Sequence, residues 1–329
     1  MKAQPIDLAT VFRSQKILIV GDVMCDRYLY GETNRISPEA PVPIFEVKNE
    51  EIRLGGAANV ALNLRTLGAR PLLVGLIGKD AAARKLRKQL RAAGITDMHL
   101  IRTRDRSTTV KTRAVCGGQQ VIRLDKESTD APSDTETSKI LNRAKEIIDN
   151  QQIDAVLFQD YDKGTLSKRI IKKIIKYARK ADIPTAADPK VRNFWHYKKV
   201  TLFKPNLKEI RQALPFRVSP DAGGLDTAAA AVRELLRYEK LLITLAERGI
   251  FATENGEGTL YPVQPRAIRD VCGAGDTVIA TAVCALAAGL SLSQIALMSN
   301  LAGGQVCERS GVVPVDGERL LREFAELPD

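Results

Sequence analysis

Arg269-Asp270-Val271-Cys272-Gly273-Ala274-Gly275-Asp276-Thr277-Val278 is the stretch from which the architecture can be worked out. Beyond it, Ile279 to Ala288 is apolar apart from Thr281, and Gly289 stands where a helix C-terminus favours glycine. The pattern predicts a turn of small residues opening a buried helix, with Asp276 in its first turn. Glycines let a backbone approach an anion closely. The N–H groups of a first helical turn have no intrahelical acceptor and point at such an anion. The same helix end favours a negative side chain. An anion cradle and a base in one turn suit phosphoryl transfer to a hydroxyl. A tight helix start with an N-terminal aspartate is the purely structural alternative, and these ten residues alone leave both open.

Two other glycine-rich readings fail. A Walker A loop needs G-x-x-x-x-G-K-[ST], and Gly75-Leu76-Ile77-Gly78-Lys79-Asp80 lacks both the spacing and the hydroxyl. A dinucleotide fingerprint follows the first strand of a βαβ unit, whereas this turn comes late in the chain.

Upstream the chain reads as alternating strands and helices. Lys16 to Gly21 is a short apolar run, predicted to be a buried first strand, with Asp22 and Asp26 after it. Leu54-Gly55-Gly56-Ala57-Ala58-Asn59 opens a helix that Gly68 stops, and Asn59 is a candidate for a ligand hydroxyl or for local capping. Leu72 to Ile77 reads as one strand, Asp80 caps a helix ended by Gly94, and Ser133-Asp134-Thr135-Glu136 is a capping box. Further strands end in Asp160, Asp188, Asn206 and Thr244. In a parallel sheet those ends share one edge, where open α/β sheets bind ligands.

Two regions interrupt this rhythm. Pro38, Pro41 and Pro43 exclude a helix from residues 28–54, and Pro43 to Val47 alternates like a strand. Within 105–125, Thr109–Val115 and Gln120–Asp125 flank a Cys116-Gly117-Gly118-Gln119 hairpin signal. The two regions are expected to pair into a small sheet standing off the main domain as a lid. Its apolar residues, Ile44, Phe45, Val47, Val115, Val121, Ile122 and Leu124, are too many for a sheet left bare on both faces, which predicts a homodimer through the lid.

The 329 residues are 44% hydrophobic and 27% charged, the balance of an ordinary globule, and suffice for one large α/β domain. Five scattered cysteines form no C-x-x-C pair, and with only His99 and His196, far apart, neither a Ser-His-Asp triad nor a His-rich metal site is expected. The Met1–Pro5 start has no apolar h-region, so a cytoplasmic location with reduced thiols is expected. The net charge of +11 is compatible with anionic small substrates. Its densest run, Lys168 to Lys180, alternates with isoleucines as the wet face of a helix, so neither a nucleic-acid nor a membrane partner is expected.

Taken together, Gly21-Asp22, Gly55-Gly56-x-x-Asn59, Asp188-Pro189, Asn206-x-x-Glu209 and Asp270-x-x-Gly273-Ala274-Gly275-Asp276 resemble the ribokinase-type carbohydrate kinases over nearly the whole length. Within that family the chain is most similar to kinases of D-glycero-β-D-manno-heptose 7-phosphate. The similarity lies in Arg35–Pro43, Gln119–Asp125, Asp160-Tyr161-x-Lys163-Gly164 and Asp188-Pro189-Lys190. Cys272 stands where the family often has Thr, and Gln159 where Ser is usual. Fused relatives continue into a nucleotidyltransferase with an H-x-G-H motif. None occurs here, so a single stand-alone kinase domain over residues 1–329 is expected.

The resemblance implies a three-layer α/β/α fold with a mostly parallel sheet. It implies ATP-dependent phosphorylation of the anomeric hydroxyl, with Mg²⁺ and, in many relatives, K⁺. It implies Asp276 as base and Gly273, Ala274 and Gly275 as the anion hole. Asp22, Gly55, Gly56, Asn59, Asp160 and Asp188 would meet the sugar, and Lys111, Arg113, Arg123, Lys163 and Lys190 its phosphate. Asn206, Glu209, Thr244, Gly249 and Asn300 would meet the nucleotide, Glu209 reaching Mg²⁺ through water. Asp270 and Ser310 would help hold the monovalent cation. An anomeric hydroxyl is acidic enough that a carboxylate near its ordinary pKa of about 4 is an adequate base.

Overall fold

A computed structural model of the chain describes residues 7–256 and 258–327; the Met1–Pro5 start and Asp329 lie outside them. Helix α1 (Leu8–Ser14) leads into strand β1 (Lys16–Gly21). Two long strands follow, β2 (Val23–Ile36) and β3 (Pro43–Gly56), and then α2 (Ala57–Thr66). The predicted strand Leu72–Ile77 is in fact two, β4 (Arg70–Val74) and β5 (Leu76–Gly78), broken at Gly75. The break lets β4 stay beside β1 while β5 turns away to pair with β6 (Ile101–Thr103). Between them lies α3 (Ala81–Ala92), with Asp80 as its N-cap.

Strands β7 (Thr109–Cys116) and β8 (Gln119–Lys126) form the expected hairpin. Its two turn residues, Gly117 and Gly118, both have positive φ (56° and 82°), which a two-residue turn matched to strand twist demands. Next come α4 (Asp134–Asn150), opened by the Ser133–Glu136 capping box, β9 (Ala155–Gln159), the basic helix α5 (Lys168–Lys180) and β10 (Thr185–Asp188). Then follow β11 (Leu202–Phe203), α6 (Leu207–Ala213), α7 (Ala222–Leu236), β12 (Lys240–Thr244), β13 (Ile250–Thr253) and β14 (Thr259–Tyr261). Three helices close the described chain: α8 (Ala274–Ala287), α9 (Leu292–Cys307) and α10 (Gly317–Ala325).

The central sheet has the order β14-β13-β12-β11-β10-β9-β1-β4, parallel from β4 to β12 and antiparallel beyond. Side chains alternate across it, as strand geometry requires. Ile17 and Ile19 of β1 join the core under α2, α8 and α9, while Leu18 and Val20 join the one under α4, α5 and α7. This is the expected three-layer α/β/α arrangement. The lid is a separate sheet of order β3-β2-β7-β8, with β2 and β7 parallel. It grows directly from the ligand edge, because its first paired residues, Val23 and Gly56, adjoin Asp22 and the start of α2.

Candidate active site

Helix α8 begins as the sequence suggests. Gly273 is its N-cap, with φ +81°, and an added Cβ there would crowd the Asn59 amide and Val312 at 3.1 and 3.2 Å. The Ala274 amide donates to the Val271 carbonyl at 3.3 Å. The amides of Gly275 and Asp276 have no backbone acceptor among the described residues, and these two N–H groups are the free part of the anticipated anion hole.

Asp276 is buried at the convergence of three elements. Asn59, in the first turn of α2, donates from Nδ2 to its Oδ2 at 2.8 Å. Gln159, the last residue of β9, donates to Oδ1 at 3.0 Å, and the Tyr161 hydroxyl donates to the same oxygen at 2.6 Å. Burial raises the Asp276 pKa to about 7; the hydrogen bonds from Tyr161 and Asn59 work against that rise, and the charges of Asp188 and Asp26 add to it. The expectation of a carboxylate near pKa 4 is corrected here, because a site closed to water disfavours the charged form.

The strand ends do converge, yet several of their side chains are already employed. Asp22 accepts the amides of Tyr161, Lys163 and Thr165 at 2.8, 3.0 and 2.8 Å, so it clamps the loop that carries Tyr161. Asp160 departs from the sequence expectation more sharply. Its carboxylate is turned into the protein, where it accepts from Asn193, the Tyr197 hydroxyl and the Asp162 amide. Burial and the neighbouring Asp22 raise its pKa. Asp188 lies 3.1 Å from the Lys204 ammonium and accepts from Gln159 at 3.3 Å. Gly55 and Gly56 end β3 beside Asp26 and Asp22.

The basic candidates line the lid and the loop beneath it, each with an acidic partner. Lys111 meets Asp125 and Glu127 at 3.0 and 3.3 Å, and Lys163 meets Glu127 at 2.8 Å. Arg113 pairs with Asp26, and Arg123 with Asp125 at 3.1 Å while staying half exposed. Lys190 pairs with Glu209 and stands 5.3 Å over the Tyr161 ring. Burial works to lower the Lys190 pKa, but the carboxylates of Asp188 and Glu209 outweigh it and the net shift is upward.

On the nucleotide side, Asn206-x-x-Glu209 is a capping box. The Asn206 side chain accepts the Glu209 amide at 2.8 Å, and Glu209 accepts the Asn206 amide at 2.8 Å. That accounts for the spacing by helix chemistry alone. The second oxygen of Glu209 faces Lys190, and burial followed by the Asp188 charge raises the Glu209 pKa. Thr244 bridges to Asn206 across the sheet edge, and Gly249 turns the chain into β13. Asn300 lines a surface hollow with Pro262, Arg266 and Gly304, donating to the Tyr261 and Pro262 carbonyls at 3.0 and 2.8 Å. Asp270 accepts the amides of Cys272 and Gly311 at 3.0 and 2.8 Å, and the Ser310 carbonyl accepts from Arg53. No cluster of three or more metal-type side chains occurs among the described residues.

Sequence reasoning missed four participants. Tyr161 and Gln159 touch Asp276 from positions 115 and 117 residues earlier in the chain. Asn63, fully buried in α2, accepts from Thr277 at 3.0 Å and from the Val315 amide at 2.9 Å, tying α2, α8 and the following loop together. An asparagine inside the apolar run Val60–Leu64 was the available signal. Arg53 is the fourth.

Residues 14–316 match the pfkB family of carbohydrate kinases. Among curated proteins, the chain is 38% identical over 320 residues to the bifunctional protein HldE of Desulfatibacillum aliphaticivorans, covering 97% of this chain and 65% of that protein. It is 40% identical over 301 residues to the bifunctional protein HldE of Vibrio parahaemolyticus, covering 91% of this chain and 61% of the relative. The chain thus spans less than two thirds of these relatives. Among solved structures, Escherichia coli phosphofructokinase-2 in complex with potassium superposes with a TM-score of 0.79 at 16% identity, covering 94% of this chain and 98% of that one. Arabidopsis thaliana ribokinase complexed with ribose and ATP gives 0.73 at 18%, covering 95% and 99%.

Proposed function

Since the chain belongs to the pfkB family of carbohydrate kinases, and is therefore a phosphotransferase acting on a sugar hydroxyl, we propose that its acceptor is the anomeric hydroxyl of D-glycero-β-D-manno-heptose 7-phosphate, with Mg-ATP as donor. The product would be the 1,7-bisphosphate of ADP-heptose and lipopolysaccharide-core synthesis, made in the cytoplasm, where ATP is. The observation that carries the kinase chemistry is the buried Asp276 carboxylate beside the amides of Gly275 and Asp276, which have no acceptor among the described residues. For the acceptor, support comes from the heptose-kinase likeness of residues 35–43, 119–125, 160–164 and 188–190, and from the similarity to HldE proteins.

Phosphoryl transfer needs positioning and charge neutralisation more than covalent chemistry. Asp276 takes the hydroxyl proton as attack develops, and its raised pKa matches a base that works near neutrality. The two amides hold oxygens of the transferring group. Asn59 fixes the orientation of the carboxylate, leaving it able to accept from the sugar. Mg²⁺ bound to the ATP phosphates would neutralise their charge. Glu209 suits it through water, since a carboxylate strained by burial and by Asp188 gains from a nearby cation. Lys111, Lys163, Arg113 and Lys190 offer cations for the sugar phosphate, which would replace their present carboxylate partners. The lid keeps water from the reacting phosphate.

The lid also supports a homodimer. Asp26, Lys111 and Arg113 lie on one side of it, and register with alternation assigns Ile122 and Leu124 to the other, where they are half exposed. An apolar outer face on so small a sheet invites a second copy. The function is tested by supplying ATP with a panel of sugars and sugar phosphates and following ADP release. The heptose 7-phosphate should show the highest kcat/KM and should far exceed the unphosphorylated heptose. Equal efficiency on both, or a better hexose phosphate, would refute the acceptor.

A further inference from the structure

The lid reaches the anion-binding turn through one side chain. Arg53 of β3 is held in a fork by Glu51, with Nε donating to Oε1 at 2.7 Å and one terminal nitrogen to Oε2 at 2.9 Å. Its other terminal nitrogen donates to the main-chain oxygens of Ser310 and Val312, both at 3.2 Å. The guanidinium carbon lies 4.9 Å from the Tyr28 ring centroid, and the Tyr28 hydroxyl accepts the Val312 amide at 3.3 Å. Gly311 stands between these carbonyls with φ +74°, and an added Cβ would lie 2.2 Å from the Arg53 nitrogen. The positive φ favours glycine there, and the guanidinium fills the space that a side chain would take. From the loop the linkage continues inward. The Gly311 amide donates to Asp270, Asp270 also holds the Cys272 amide, and the Val312 side chain packs on Gly273.

A monovalent cation beside the anion hole would call on Asp270 and Ser310. The place fits such an ion poorly because a guanidinium already occupies it: each Asp270 oxygen accepts one main-chain amide and keeps a lone pair, but the Ser310 carbonyl already accepts from Arg53. A bare cation entering there would sit close to an existing positive charge. We propose that Arg53 does the work of that ion: a guanidinium carried by the lid orders the 310–312 loop, and through it the Gly273–Asp276 turn, so that turnover does not depend on K⁺. The planar fork suits the task, since Glu51 fixes two of its edges and leaves the third aimed at the carbonyls. Arg53 is bonded to Glu51 and to the loop carbonyls and is assigned as a positioning residue. The proposal rests on the kinase reading of the turn and not on which sugar is phosphorylated.

The test compares the wild-type enzyme with Arg53→Met and Arg53→Lys, assayed with Mg-ATP in KCl and in choline chloride at equal ionic strength, with thermal unfolding followed in the same salts. Wild type should turn over equally in both salts, within about twofold, well below the worth of one hydrogen bond to a charge. Arg53→Met should lose about tenfold or more in kcat, with a smaller change in acceptor KM. It should recover severalfold on addition of K⁺ or guanidinium and gain thermal stability from K⁺ that wild type does not gain. Arg53→Lys should stay indifferent to K⁺. Several-fold activation of wild type by K⁺ would overturn the proposal. So would a folded Arg53→Met that matches wild type in choline, or one whose loss neither cation relieves. If Arg53→Met does not fold, wild type and Arg53→Lys carry the comparison. If the heptose phosphate proves inert, the thermal response to K⁺ still decides this point separately from the acceptor.

Discussion

At Asp276 burial and hydrogen bonding pull in opposite directions, and burial prevails, so the carboxyl holds its proton up to about pH 7. Two outcomes follow with opposite signs. Activity needs the ionised base, so kcat/KM for the acceptor should rise with pH through about 7 and level off above it. Asp276→Asn should abolish that limb and lower kcat by about 10²–10⁴. Stability runs the other way. The unfolded chain releases this proton near its ordinary value of 3.8, so between that pH and about 7 the folded state binds more protons and loses stability as pH rises. Asp276→Asn should therefore melt above wild type at pH 8, with the difference closing towards pH 4; a variant that melts lower at pH 8 would contradict the burial argument. Asp276 itself was legible because turn, charge and helix lie in one stretch. Gln159 and Tyr161 were not, because nothing in local spacing tells a strand-end amide which distant carboxylate it will face. The capping box at Asn206–Glu209 shows the converse. Its local meaning was written in the sequence and was overlooked in favour of the ligand role that the resemblance implied.

Among the elements, the lid was the most legible. Prolines at 38, 41 and 43 and the Gly117–Gly118 turn announced it, whereas its two faces follow only from the strand register, which bulges interrupt. The split at Gly75 was less so, since an apolar run does not record which neighbour its second half will pair with. Helix α7 was likewise hidden, its Gly223-Gly224 start resembling a loop until Asp221 is seen accepting the Gly224 amide at 2.8 Å. For the lid the expectation is quantitative. β8 is exposed along its whole length, with Val121, Ile122 and Leu124 more than half exposed at 52%, 51% and 56%. Sedimentation at micromolar concentration should give a dimer, and Phe45→Asp and Ile122→Asp should shift it towards monomer by burying a charge at the joint. A wild-type monomer, or a dimer indifferent to both substitutions, would put the contact elsewhere.

At the scale of the whole molecule, the parallel sheet collects strand ends on one edge, and helix α8 closes that edge from the opposite end of the chain. The three-layer order could be inferred because strands and helices alternate; the meeting of α2 with α8 could not, since both are mostly apolar and neither names its partner. That meeting has a bearing on how the protein is made. The hydrogen bonds that define the site join residues 143 (Asp22–Thr165), 217 (Asn59–Asp276) and 259 (Arg53–Val312) positions apart. Contacts of such high sequence separation form late, after long loops have been closed. The single tryptophan, Trp195, packs against Phe194 on the other face of the sheet, far from that late event in chain order. On dilution from denaturant, its fluorescence should recover before catalysis does, leaving a transient species with a formed α4–α5–α7 layer and no enzyme activity. Coincident recovery of the two signals would show a single cooperative step instead. A ribosome-bound chain obeys the same constraint: until residue 312 has left the tunnel, the nascent protein can have every strand of its central sheet and still lack a catalyst.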